Sequence, residues 1–127
     1  MVVRAPRMVA AAERKAGTTG VRAEFLQGDA AVPPYPEASC DVVLARHVLW
    51  ALPDPGAALD RWVRLLRPGG RLVLVEGRWS TGAELPAAGC QALVLDRRRQ
   101  ATVRRLDDPT LWGGPIEDER YPLVSTE

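Results

Sequence analysis

Few side chains in this sequence could do chemistry, and they do not cluster into a familiar catalytic set. His47 is the single histidine, and the two cysteines, Cys40 and Cys90, form no Cys-x-x-Cys pair. That inventory excludes a compact metal site of the usual kind, and reduced, buried thiols are the expectation. Asp29 lies in Gln27-Gly28-Asp29-Ala30. Its carboxylate can only accept hydrogen bonds, so it suits a ligand that donates, or equally a turn closed after Gly28. Arg97, Arg98 and Arg99 stand in a row. They could meet a phosphate, although cations at a helix C-terminus more often face solvent and complement the dipole.

The elements that must position these groups are organised around Cys40 to Trp79. There an apolar run (Val42, Val43, Leu44) leads into a loop, an amphipathic segment follows, and a second apolar run (Leu72, Val73, Leu74, Val75) closes the stretch. Asp54 can cap a helix and Pro55 suits its first position, while Leu59, Trp62, Val63 and Leu66 share one face. Arg67-Pro68-Gly69-Gly70 ends it. The flanking runs are too apolar to alternate, as in parallel strands covered on both sides, and their crossover should be right-handed. One strand-helix-strand unit makes the class α/β.

Around this unit the signals are weaker. Met1 to Val3 looks like the stub of a strand. Arg7 to Ala16 reads as a helix, with Met8, Ala11, Ala12 and Lys15 in helical order and Gly17 as its stop. Val21 to Leu26 alternates like a strand near a sheet edge and delivers Gln27-Gly28-Asp29 at its carboxyl end. Ala31 to Ser39, with three prolines, is a surface connection. Pro86 to Arg99 reads as a helix burying Ala88, Ala92, Leu93 and Leu95. Ala101 to Leu106 and Tyr121 to Ser125 are strand candidates, and Trp112 between them is a lid or packing anchor.

Composition narrows the partners. The chain has 127 residues, enough for one domain spanning 1–127 with a real core. With 17 Lys+Arg against 16 Asp+Glu, nothing in the charge points to nucleic acid. Lys15 is the only lysine among the basic residues, which reflects coding bias more readily than an arginine surface. No apolar stretch approaches a membrane span and no signal-peptide pattern follows Met1, so no membrane contact and a cytoplasmic location are expected.

FLQGDA after one strand, CDVVLARHVLW at the next, then LPDP, LRPGG and LVLVEG, occur in an order and spacing that resemble the class I S-adenosylmethionine-dependent methyltransferases. The small-molecule methyltransferases of quinones, sterols and secondary metabolites are the nearest likeness. The resemblance implies a Rossmann-like, mostly parallel sheet with an antiparallel last strand. It also implies S-adenosyl-L-methionine as cofactor, bound across the carboxyl ends of the strands, and a small-molecule methyl acceptor. Asp29 matches the acidic residue that accepts from the adenine amino group, and Ala30 the next residue, whose N–H meets the ring. Ala45 and Arg46 match positions at the methionine portion of the cofactor. His47 beside them is then a substrate-pocket residue or general base, or a packing residue at the strand end. Trp50 and Trp79 could wall the substrate site or simply pack.

One part of the family pattern is absent. Members begin with a strand ending in a glycine-rich G-x-G-x-G loop, and no G-x-G occurs here. The acidic residue that holds the ribose hydroxyls matches Val3 or Arg4, neither of which can accept that bond. The expectation is therefore an incomplete sheet lacking its first central strand, with impaired activity, an exposed flank at Val42 to Leu44, and self-association through unpaired edges. The alternative is a non-catalytic remnant that serves as a protein-interaction or sheet-completing module.

Overall fold

The computed structural model describes residues 1–78, 84–105, 108–111, 113–114 and 119–126, with Val3 and Arg78 as backbone only. Trp79 and Trp112 therefore lie outside the described residues. The chain forms two compact units, Met1–Pro34 and Tyr35–Glu127.

In the first unit, β1 (Val2–Val3) pairs in parallel with β2 (Leu26–Gln27), and α1 (Pro6–Thr19) connects them. Pro6 occupies the first turn, where its missing N–H costs nothing. The helix runs through Gly17, contrary to the sequence expectation. It stops only where Gly20 takes a left-handed φ of 73° and donates its N–H to the Ala16 carbonyl. Thr18 and Thr19 extend that end by donating their hydroxyls to the Lys15 carbonyl. The strand expected from Val21 is also shorter, because a strand extends only as far as its partner, and β1 offers two residues.

The second unit holds a four-stranded sheet in the order β3-β4-β6-β5, from β3 (Cys40–Arg46), β4 (Leu66–Arg78), β5 (Thr102–Val103) and β6 (Glu119–Ser125). The β3-β4 pair is parallel and β6 is antiparallel to β4, as the resemblance implies. Among the described residues β3 is an edge strand, and Val42 and Leu44 are 53% and 66% exposed, which is the flank expected from the sequence.

Helix α2 (Pro55–Leu65) crosses from β3 to β4. Asp54 caps it, its carboxylate accepting from the Ala57 N–H at 3.0 Å. Ala58, Leu59, Trp62 and Leu65 are its buried face, each large side chain contributing about 1.5–3 kcal/mol of transfer free energy. The Pro68-Gly69-Gly70 turn lies inside the bounds of β4. There the register slips from Cys40↔Leu66 to Val42↔Arg71, and Gly69 takes a φ of 79°. Gly70 is needed for space, since a Cβ would sit 2.8 Å from the Arg67 carbonyl oxygen.

Helix α3 (Ala87–Leu95) is shorter than the sequence suggests. It buries Cys90 and Val94, while Ala88, Ala92 and Leu95 are exposed. Of the arginines beyond its end, Arg99 is exposed, whereas Arg97 and Arg98 are clamps rather than a solvated face. Arg97 donates to Asp60 at 2.7 Å and to the Leu93 carbonyl, and Arg98 donates to the Gly70 carbonyl and to Ser125. A guanidinium fork can satisfy several acceptors at once, so the two side chains tie the end of α3 to α2, β4 and β6.

Candidate functional site

The groups with chemical potential in the second unit gather where β3 and β4 end. Ala45 is buried and Arg46 exposed as β3 finishes. His47 keeps the ladder, donating its N–H to the Val75 carbonyl at 2.7 Å, but its φ is +53°. A non-glycine residue there costs roughly 1 kcal/mol. The turn sends the chain into a short 3-10 segment, Leu49–Ala51, with Leu49 fully buried.

Glu76, directly after the four-residue apolar run 72–75 of β4, receives that turn. It is fully buried. Its Oε1 accepts from the N–H groups of Val48 at 3.1 Å and Leu49 at 2.7 Å. Its Oε2 has no hydrogen-bond partner among the described residues and lies 3.9 Å from His47 Nδ1. Burial pushes the Glu76 carboxyl above its ordinary range, opposed by the N–H groups of Leu49, Val48 and Trp50. Burial, and then the Arg46 charge, push His47 below its ordinary value. Trp50 stacks on the imidazole at 5.1 Å and donates its indole N–H to the His47 carbonyl. The ring is thus packed on one side while its side chain keeps 38% exposure.

In the first unit Asp29 is exposed just past β2. One carboxylate oxygen accepts from the Ala31 N–H at 2.9 Å, and the Val32 N–H reaches the Asp29 carbonyl. This is the turn closure that the sequence allowed, and it leaves the second oxygen available to a donor. Ala30 is half-buried beside it. As a fit to the implied cofactor the donor set is partial: Asp29 offers an acceptor for an amine, whereas Val3 and Arg4 offer none for ribose hydroxyls.

The sequence singled out His47, Ala45 and Arg46, and the structure brings these three together at one strand end. It missed Glu76. The available signal was a lone acid closing the apolar run LVLVEG, at the strand end where open α/β sheets bind ligands.

A parallel pair joined by a crossover helix, extended by an antiparallel strand and carrying its polar groups at the carboxyl ends, defines a Rossmann-like α/β fold. Residues 2–74 match the family described as methyltransferase domain, and the chain belongs to that family. It is 40% identical over 72 residues to the demethylmenaquinone methyltransferase of Thermus thermophilus, covering 57% of this chain and 33% of that protein. It is 47% identical over 64 residues to the nocamycin O-methyltransferase of Saccharothrix syringae, covering 50% of this chain and 21% of that protein. The chain thus spans about a third or less of the length of these relatives. Among solved structures, the [4+2]-cyclase SpnF superposes with a TM-score of 0.80 at 18% identity, over 99% of this chain and 65% of that one. An Aquifex aeolicus SAM-dependent methyltransferase gives 0.73 at 15% identity, over 98% and 65%. At these identities the likeness is one of fold, and a fold hosts more than one chemistry.

Proposed function

We propose that this chain carries the cofactor-side portion of an S-adenosyl-L-methionine-dependent methyltransferase acting on a small molecule, in a cytoplasmic setting. The observation that supports it most is the methyltransferase-domain match over residues 2–74, which contains every candidate site residue from Asp29 to His47. In this reading Asp29 and Ala30 hold the adenine, and Ala45 and Arg46 border the methionine portion. When bound, the cofactor supplies an electrophilic methyl group on a sulfonium that is already a good leaving group. The protein's share is alignment, exclusion of water and removal of one proton from the acceptor. His47 takes that proton, its imidazole stacked on Trp50 and its side chain 38% exposed. The relatives named as demethylmenaquinone methyltransferase and nocamycin O-methyltransferase make a hydroxylated or quinone-like acceptor the first class to try.

Calorimetric titration with S-adenosyl-L-methionine tests this. Micromolar binding that Asp29→Ala abolishes is expected. No heat at millimolar cofactor would overturn it.

A second reading, a non-catalytic module that completes a sheet, is favoured by the open edge of β3 among the described residues, where Val42 and Leu44 are exposed. Unpaired strand edges bearing apolar side chains template further pairing. In this reading the chain self-associates, and light scattering after size exclusion should report more than its 13.8 kDa, shifted toward monomer by Leu44→Lys. A thermally stable monomer without the substitution would overturn it.

A further inference from the structure

We propose that Glu76 is the positioning residue for His47: its buried Oε2 accepts from Nδ1–H of the imidazole, fixing the tautomer that leaves Nε2 as the proton acceptor. The inference rests on the reading of His47 as the base, and Glu76 itself touches no reacting atom.

Three observations carry it. Glu76 is fully buried, yet one of its two oxygens has no hydrogen-bond partner among the described residues. Buried carboxylate oxygens left unsatisfied are costly, and native structures rarely keep them without a purpose. The other oxygen is held by the N–H groups of Val48 and Leu49. That anchoring fixes the rotation of the carboxylate, so Oε2 cannot turn to find another donor. The nearest ring atom on the page is His47 Nδ1 at 3.9 Å. This exceeds hydrogen-bond length, but such contacts are often long before substrate binds and tighten on loading.

The backbone converges on the same pair. His47 adopts a left-handed φ of +53°, and the turn that follows delivers the Val48 and Leu49 N–H groups to Glu76. Strain at a non-glycine residue persists where the surroundings over-determine it, and here they orient an imidazole against a carboxylate. Trp50 stacks on the ring and restricts its remaining rotation. Arg46 also acts on His47, and it disfavours the imidazolium without choosing between the two neutral tautomers.

A neutral imidazole carries its proton on one nitrogen, and the hydrogen bond made by the other partner decides which. An ionised Glu76 requires the proton on Nδ1. A glutamine at this position would keep its oxygen on the Val48 and Leu49 N–H groups and present an NH2 group to Nδ1. That donor requires the proton on Nε2, so the tautomer should invert.

Because His47 is the only histidine, its ring nitrogens can be read without ambiguity by 15N NMR of the full chain at a pH of about 8, above the ordinary histidine range. The expected result is a pyridine-type Nε2 in the native protein and a pyridine-type Nδ1 in Glu76→Gln. A native protein with its proton on Nε2 overturns the proposal, and so does a Glu76→Gln variant that keeps the native pattern. If Glu76→Gln fails to fold, the native tautomer alone decides. The readout needs no turnover. Loss of the methyltransferase reading, seen as absent cofactor binding, would therefore leave the tautomer result standing and separately interpretable.

Discussion

Each of the two compact units places a carboxylate just past the last pair of a parallel ladder, and the two are treated in opposite ways. Asp29 stands exposed after β2 and closes its own turn through the Ala31 N–H, two residues away. Glu76 ends the apolar run of β4 fully buried, and takes N–H groups 28 and 27 residues distant. The first interaction is local and survives in water. The second exists only after β3, the 3-10 turn and β4 have assembled, and burial has made it expensive to leave incomplete. A residue that pays desolvation is therefore the structural keystone, while an exposed one remains available to a ligand.

Substitutions can break this contrast. Glu76→Ala should have the largest effect, a loss of about 2–4 kcal/mol in urea unfolding, because it orphans two buried N–H groups and leaves a cavity. Asp54→Ala is intermediate, about 1 kcal/mol, since it removes the N-cap of α2 but lets water reach the freed N–H groups. Asp29→Ala should change stability by no more than about 0.5 kcal/mol, as an exposed turn substitution, while abolishing cofactor binding. If Asp29→Ala destabilises the chain as much as Glu76→Ala, the contrast between the two carboxylates is wrong.

A pH series sharpens the same comparison. With its pKa raised in the folded state, Glu76 binds a proton more tightly when folded. Its contribution is therefore full below the ordinary value of 4.5 and is lost as pH rises through the folded value. His47, lowered in the folded state, contributes in the opposite direction: fully above 6.5, and less as pH falls. The unfolding free energy of the native chain minus that of Glu76→Gln isolates the first group, and should decline as pH rises from 4.5 toward neutral. A difference that stays flat would show that the carboxyl is not desolvated in solution.

Much of the second unit was legible from local patterns. Asp54-Pro55 marks the start of α2 and Leu59 and Trp62 mark its buried face, because capping and amphipathic spacing act within a few residues. The corrections share one cause. Gly17 did not stop α1, because a glycine ends a helix only where the chain needs the left-handed conformation, and that place was Gly20. The strand proposed from Val21 shrank to two residues because its length depends on a partner elsewhere in the chain. Arg97 and Arg98 became clamps because Asp60, Gly70 and Ser125 come to them from other elements.

By itself, the sequence determined the α/β class, the capped crossover helix, the family likeness carried by GDA, DVV and LRPGG, and the place of His47 at a strand end. These rest on short-range chemistry: caps, turns, and apolar periods that need no distant partner. Only the tertiary structure decided the length of β2 and the pairing of Glu76 with the turn that presents His47. A buried carboxylate has meaning only through the groups that surround it, and residues 47–49 and 76 become neighbours only when the parallel ladder between β3 and β4 has formed.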